Sequence, residues 1–203
     1  MSMHPAPSTS ASPSRRLGPG RAIASALVAL SLLAGGSAVM ALQGHDPAAA
    51  AISALDGPDE QDGFIADGDS VSPFADELPA ISRLRPALRT AVQAAAADAG
   101  DEVHILITNG WRSERYQQAL FDDAVRRYGS EEEAGRLVAP VDRSRHVTGD
   151  AVDVGNAQAD SWLSRHGADY GLCQIYANEI WHFERATTPG GECPALLPDA
   201  SAG

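Results

Sequence analysis

The chain has 203 residues, with 15 basic and 27 acidic side chains, six histidines and two cysteines. This length predicts one ordinary domain with additional segments. The net charge of −12 argues against a nucleic-acid partner, because binding to phosphates needs a basic surface. Two cysteines are too few for a disulfide-stabilised miniprotein or for a zinc site with four thiolate ligands.

The charges are unevenly distributed along the chain. Residues 1–42 contain Arg15, Arg16 and Arg21 but no acidic residue, so 12 of the 15 basic residues and all 27 acidic residues follow them. The uncharged stretch 22–42 has an apolar centre, which predicts either a cleaved secretory signal or a single membrane-spanning anchor. In both cases we expect the rest of the chain outside the cytoplasm, either secreted or anchored to the outer face of the cytoplasmic membrane.

The next segment, residues 43–79, is rich in Ala, Gly, Asp and Pro and has no sustained helical or strand period. It is interpreted as a mobile linker. The ordered domain is predicted over residues 80–197, followed by a short tail of residues 198–203.

Helical and strand patterns alternate from residue 80 onwards. The predicted elements are a helix that begins at residue 81 or at Pro86 and ends at Gly100, a buried strand over 103–107, a helix from Ser113 to about Arg127, a short helix after Ser130, a strand over 151–154, a helix over 160–166, and strands over 171–176 and 180–184. This order indicates an α+β fold with a small, mostly antiparallel sheet.

Two segments carry side chains that bind metals. Residues 144–153 read SRHVTGDAVD, with His146 in a loop and Asp153 on the following strand. Residues 179–184 read EIWHFE, which places two potential ligands on one face of a strand. Each segment alone occurs by chance, and a lone histidine on a strand is more often structural than a ligand.

Together the two segments form the pattern S-x-H-x-x-G-x-A-x-D, followed 26 residues later by E-x-x-H. The fixed positions are Ser144, His146, Gly149, Ala151, Asp153, Glu179 and His182. This pattern resembles that of the zinc D-alanyl-D-alanine peptidases of the VanY and VanX type. Residues 110–120, GWRSERYQQAL, are similar to the family's G-Y-R-S-x-x-x-Q-x-x-L stretch, with Trp111 in place of the usual tyrosine. HExxH is absent, which excludes the ordinary zincin proteases.

The resemblance covers roughly residues 80–195 and implies a single catalytic domain with a hedgehog/D,D-peptidase-like fold. It implies one zinc ion held by His146, Asp153 and His182, with one coordination position left for water. The resemblance further makes Glu179 the general base.

Three further residues receive roles from the same resemblance. Arg112 is implied to stabilise the oxyanion or to hold the substrate carbonyl, and Gln117 and Ser144 to contact a carbonyl or carboxylate of the substrate. Without the resemblance, the favoured interpretation of Arg112 is a surface arginine paired with an acid such as Asp122. Gln117 or Gln118 is then a solvated helix position.

Cys173 and Cys193 lie on either side of the E-x-x-H segment. In an exported chain an even pair of cysteines predicts a disulfide. Two free thiols, or a cysteine ligand to zinc, are the alternatives.

We therefore expect a monomeric enzyme of the cell envelope that removes the terminal D-Ala from D-Ala-D-Ala peptidoglycan stem peptides, with residues 22–42 as the candidate anchor. An L-alanyl-D-glutamate endopeptidase or a D,D-dipeptidase with the same metal site is the alternative within the family. A non-catalytic peptidoglycan-binding module is the alternative of another class. The presence of the base together with all three ligands favours an enzyme.

Overall fold

The computed structural model describes residues 57–101 and 103–203, so the predicted signal or anchor lies outside the described residues. The helices are α1 (Pro79–Ser82), α2 (Pro86–Ala99), α3 (Glu114–Tyr128), α4 (Glu131–Gly135) and α5 (Ala157–His166), with short 3-10 helices at Glu60–Asp62, Gly167–Tyr170 and Ala200–Ala202. The strands are β1 (Leu106–Asn109), β2 (Ala151–Gly155), β3 (Leu172–Gln174) and β4 (His182–Arg185). In these two described ranges no helix is both apolar and long enough to span a bilayer.

The four strands form one antiparallel sheet in the order β1-β2-β4-β3. An isolated antiparallel bridge between Val71 and Ile107 adds to the β1 edge. The prediction of an α+β fold with a small antiparallel sheet is therefore confirmed.

The core lies on one face of this sheet. Val152 and Val154 of β2 and Phe183 of β4 are almost completely buried there. They belong to one cluster with apolar residues of α2 and α5, including Leu88 and Leu163. Since side chains alternate along a strand, the residues between these positions face away from the core.

The ends of the helices agree with the local sequence. α2 begins at Pro86, whose missing N–H costs nothing at the first helical position. The Ser113 side chain accepts a hydrogen bond from the backbone N–H of Tyr116 and so caps α3. Gly129 ends the same helix in the left-handed conformation at φ 87°.

The strands differ from their predicted limits because the sheet partners are short. β1 begins at Leu106, opposite Gly155 at the end of β2, and extends to Asn109. Residues 103–105 therefore have no partner strand within the described part of the chain, although their apolar pattern matches a buried strand. β3 and β4 are shortened in the same way to three and four residues.

The predicted linker differs from the structure over its described part. Residues 57–79 pack against the domain: Asp62 accepts a hydrogen bond from Ser113 Oγ and forms an ion pair with Arg115. Val71 forms the bridge to β1. The contacts of Asp62 and Val71 leave no periodic pattern in the sequence. The linker was therefore predicted from the composition of the segment alone.

The predicted tail also packs against the domain. The Asp199 side chain caps the 3-10 helix at Ala200–Ala202, and Ala200 is buried. Arg143 Nη1 donates a hydrogen bond to the Ser201 carbonyl over 3.3 Å. The domain boundary predicted at residue 197 is therefore too early.

A disulfide joins Cys173 of β3 to Cys193, as predicted. This bond excludes the alternatives of free thiols and of a cysteine metal ligand. Close to it, Leu197 forms a parallel bridge with Tyr176, three residues before Glu179. The disulfide thus holds the C-terminal segment beside the segment that leads to Glu179.

We expect reduction of the disulfide to lower the free energy of unfolding of the full-length chain by about 3 kcal/mol, because a closed loop of 20 residues restricts the unfolded state. Denaturant unfolding with and without reductant measures this difference. A variant with both cysteines replaced by Ala should not respond to reductant. A change below about 1 kcal/mol in the wild type would contradict the prediction.

Candidate metal centre

Three buried side chains from three elements meet on the sheet face opposite the core. Asp153 of β2 lies directly opposite His182 of β4 in the antiparallel ladder. His146 reaches them from the loop before β2. All three side chains are buried.

The donor atoms of these side chains are closely spaced. His146 Nε2 lies 3.3 Å from both His182 Nδ1 and Asp153 Oδ1, and His182 Nδ1 lies 3.1 Å from Asp153 Oδ1. Tetrahedral zinc with bonds of about 2.0–2.1 Å places neighbouring ligand atoms about 3.3–3.4 Å apart. The donor types and their spacing therefore fit one zinc ion.

The His146 ring is oriented for this purpose by the backbone. Its Nδ1 lies 2.8 Å from the Gly110 carbonyl oxygen, which can only accept a hydrogen bond. Nδ1 therefore carries the hydrogen, and the lone pair of Nε2 faces the other two donors.

The loop that carries His146 needs a glycine and is supported by the unusual tryptophan. Gly149 has φ +74°, and a Cβ atom there would lie 2.6 Å from the Arg83 carbonyl oxygen. Trp111 Nε1 donates a hydrogen bond to the Val147 carbonyl over 3.1 Å. The tryptophan that replaces the family's tyrosine thus holds the residue next to His146.

Arg112 pairs with Asp153 and not with Asp122, contrary to the surface alternative. Arg112 Nη2 lies 2.9 Å from Asp153 Oδ2, which leaves Oδ1 facing the histidines. Burial disfavours the charged form of Asp153, but its two histidine neighbours and Arg112 hold its pKa well below the usual range. The carboxylate is therefore ionised and available to a cation.

Gln117 is buried, whereas Gln118 is exposed and bonds Asp122. Gln117 Oε1 accepts a hydrogen bond from Arg112 Nη1, and its Nε2 donates to the Ala139 carbonyl. In this structure Gln117 therefore positions Arg112, and its predicted contact with substrate stays a prediction.

Glu179 lies beside the cluster in the turn before β4. Its Oε2 is 3.9 Å from His182 Nδ1, and its buried Oε1 has no hydrogen-bond partner among the described residues. Burial raises the pKa of Glu179 to about 7; Asp153 adds to the increase and His182 opposes it. Such a carboxyl group is suited to take up and release a proton near neutral pH.

The cluster lies in a cleft with a cavity volume of about 660 Å³. Ser144 lines it, and its buried Oγ has no partner within residues 57–101 and 103–203. The partly exposed Trp181 also borders the cleft, whereas Asp150 pairs with Arg85 instead of joining the cluster.

Two groups of cleft residues were missed by the sequence analysis. Residues 65–70, within the predicted linker, form part of one wall. Tyr116 and Tyr176 also line the cleft, and the Tyr176 ring centroid lies 5.1 Å from that of His182. The scarcity of aromatic residues, 5% of the chain, was the available signal for the tyrosines.

The fold and this arrangement define a class: an α+β protein with a candidate metal centre and a buried carboxyl group in its cleft. The sequence model of the VanY family, D-alanyl-D-alanine carboxypeptidase, matches residues 82–184, more than half of the chain. The chain therefore belongs to the VanY D-alanyl-D-alanine carboxypeptidase family and is a peptidase of the class that acts on peptidoglycan. None of the curated proteins matches this chain.

Several solved structures are similar to the chain. A mutant of the vancomycin resistance D,D-pentapeptidase VanY from a VanB-type cassette, in complex with Zn(II), has a TM-score of 0.48 at 21% identity, covering 64% of this chain and 86% of that one. The vancomycin resistance D,D-dipeptidase VanXYg, in complex with a D-Ala-D-Ala phosphinate analogue, has a TM-score of 0.47 at 23% identity, covering 59% of this chain and 56% of that one. DacB from Streptococcus pneumoniae D39 has a TM-score of 0.39 at 26% identity, covering 59% of this chain and 83% of that one.

Asp160 of α5 is a buried carboxyl group outside the cluster. Its Oδ1 has no hydrogen-bond partner in the described part of the chain. Burial raises the pKa of Asp160 to about 6, and the Asp153 charge adds to this increase. The folded protein therefore holds the Asp160 proton more tightly than the unfolded chain does.

We expect the free energy of unfolding of the zinc-free protein to fall as the pH rises from about 4 to about 6, because the folded state disfavours ionised Asp160. Asp160→Asn should make this fall smaller, the remainder coming from the raised pKa of Glu179, and should stabilise the protein at pH 8 by about 1–3 kcal/mol. Asp123→Asn, at an exposed position of α3, is the control and should have little effect. Identical pH profiles for the wild type and Asp160→Asn, measured by denaturant unfolding, would refute this expectation.

Proposed function

We propose that the chain is a zinc-dependent D,D-carboxypeptidase that removes the terminal D-Ala from D-Ala-D-Ala stem peptides of peptidoglycan. The observation that carries the proposal is the set of three donor atoms 3.1–3.3 Å apart beside Glu179 Oε1, which has no hydrogen-bond partner among residues 57–101 and 103–203. Membership of the VanY family supports the substrate class.

His146 Nε2, Asp153 Oδ1 and His182 Nδ1 would hold one zinc ion. When bound, zinc supplies Lewis-acid chemistry, which makes water more acidic and polarises a carbonyl group. The chain itself keeps Asp153 ionised through its contacts with His146, His182 and Arg112.

Glu179 is the proposed general base and acid. Its unpartnered Oε1 takes a proton from the attacking water as the water oxygen bonds to the scissile carbonyl carbon. The same carboxyl group then donates the proton to the amide nitrogen as the carbon–nitrogen bond breaks. D-Ala leaves as the free amine, and the shortened peptide keeps the new carboxylate.

Arg112 and Ser144 are proposed to bind the substrate. The guanidinium of Arg112 is fixed by Asp153 and Gln117, so its charge is positioned before the substrate arrives. Its buried Nε, like Ser144 Oγ, has no partner within the described residues and is available to a carbonyl or carboxylate oxygen.

An extracytoplasmic location is part of the proposal. The Cys173–Cys193 disulfide supports it, since such bonds persist in oxidising compartments. The charge pattern of residues 1–42 also supports export. We further propose that the protein acts as a monomer.

We expect the full-length, zinc-loaded protein to release free D-Ala from a muropeptide pentapeptide. Glu179→Gln should lower this rate by about 10²–10⁴-fold and leave the zinc content unchanged, because it removes the proton carrier but none of the ligands. Glu192→Gln, at an exposed carboxylate in the C-terminal segment, is the matched control and should keep the wild-type rate.

Mass spectrometry of the digested muropeptides identifies the bond that is cut. Release of the dipeptide D-Ala-D-Ala, or cleavage between L-Ala and D-Glu, would overturn the carboxypeptidase proposal in favour of the corresponding alternative. Binding without cleavage, unaffected by Glu179→Gln, would indicate a non-catalytic module.

A further inference from the structure

A pair of charged side chains lies behind His182, on the side away from the metal cluster. Glu184 Oε1 is 3.2 Å from His182 Nε2, and Glu184 Oε2 accepts a hydrogen bond from Arg145 Nε over 3.0 Å. Arg145 occupies the unspecified position of S-x-H, and Glu184 follows the final histidine of the pattern by two residues. The motif that identifies the site therefore specifies neither residue.

Glu184 determines which nitrogen of His182 is free to bind a cation. A carboxylate can only accept hydrogen bonds, so His182 Nε2 must carry the hydrogen that points at Glu184. The other nitrogen, Nδ1, faces Asp153 Oδ1 at 3.1 Å and His146 Nε2 at 3.3 Å. The contact with Glu184 thus orients the ring so that Nδ1, and not Nε2, faces the cluster and is the nitrogen that would bind a cation.

Arg145 holds Glu184 in place and joins two elements of the site. Its neighbour in the chain is His146, whereas Glu184 lies on β4 beside the His182 side chain. The ion pair therefore connects the loop that carries one histidine to the strand that carries the other. It also compensates the charge of Glu184, whose side chain is only 10% exposed and would be unfavourable without a partner.

We infer that Arg145 and Glu184 are positioning residues that fix His182 as an Nδ1 ligand and thereby increase the affinity of the centre for zinc. The inference rests on the proposed function, since it assigns these residues to the same metal centre. Hydrogen-bonded carboxylates behind metal-binding histidines commonly change metal affinity by about 10–100-fold.

The test is the zinc affinity of the full-length chain, measured by competition with a chromophoric chelator. Glu184→Ala should weaken zinc binding by about 10–100-fold. Glu184→Gln should weaken it less, because the amide oxygen still accepts the hydrogen bond from Nε2. Zinc affinity of Glu184→Ala within twofold of the wild type would overturn the inference.

Arg85→Ala is the matched control. Arg85 forms a comparable ion pair with Asp150, which lies in the same loop as His146, with Nε 3.0 Å from Oδ1. Among the described residues the Asp150 side chain has no ion pair or hydrogen bond to the three proposed ligands. This variant should bind zinc as tightly as the wild type. An equal loss of affinity in Arg85→Ala and Glu184→Ala would show that any ion pair of the loop has the same effect, and would overturn the inference.

A double-mutant cycle tests the dependence of Arg145 on Glu184. Arg145→Ala should weaken zinc binding by itself but should add little to Glu184→Ala, because it acts through that carboxylate. If the losses of zinc affinity in the two single variants add fully in the double variant, Arg145 does not act through Glu184 and this part of the inference is wrong. If Glu184→Ala does not fold, Glu184→Gln and Arg145→Ala still provide the comparison.

The outcome can be separated from that of the proposed function. Unchanged zinc affinity in the variants, together with D-Ala release by the wild type, would reject the positioning role alone. Weakened zinc binding in the variants, with no D-Ala release by the wild type, would reject the proposed activity alone.

Discussion

The antiparallel pairing of β2 with β4 positions both the hydrophobic core and the candidate metal centre. It places Asp153 directly opposite His182 on one face of the sheet, and Val152 opposite Phe183 on the other. A shift of one residue would exchange the two faces and bury Asp153 in the core. The hydrophobic core therefore fixes the register, and the register in turn brings two proposed ligands together.

Burying a carboxylate at this position is unfavourable unless its charge is compensated. Arg112 provides the compensation at one oxygen of Asp153, and the histidines surround the other. A second ion pair, between Arg145 and Glu184, supports His182 from behind. The centre is thus surrounded by charges in a fixed arrangement, which suits the proposed binding of a cation and of a substrate carbonyl.

The sequence was sufficient for the fold class and for the residues that meet in the cluster, because both depend on residue type and local spacing. It was insufficient for residues 57–79, whose contacts with the domain depend on single side chains such as Asp62 and produce no periodicity. The support of His182 by Glu184 and Arg145 was also missed. That contact joins a loop to a strand 39 residues away, and only the folded chain brings the two together.

A crystal structure of the full-length protein grown with zinc, with anomalous diffraction recorded at the zinc edge, tests the proposed metal centre most directly. We expect one anomalous peak bonded to His146 Nε2, Asp153 Oδ1 and His182 Nδ1, with Glu184 hydrogen-bonded to His182 Nε2. A zinc peak elsewhere, or coordination through His182 Nε2, would contradict it.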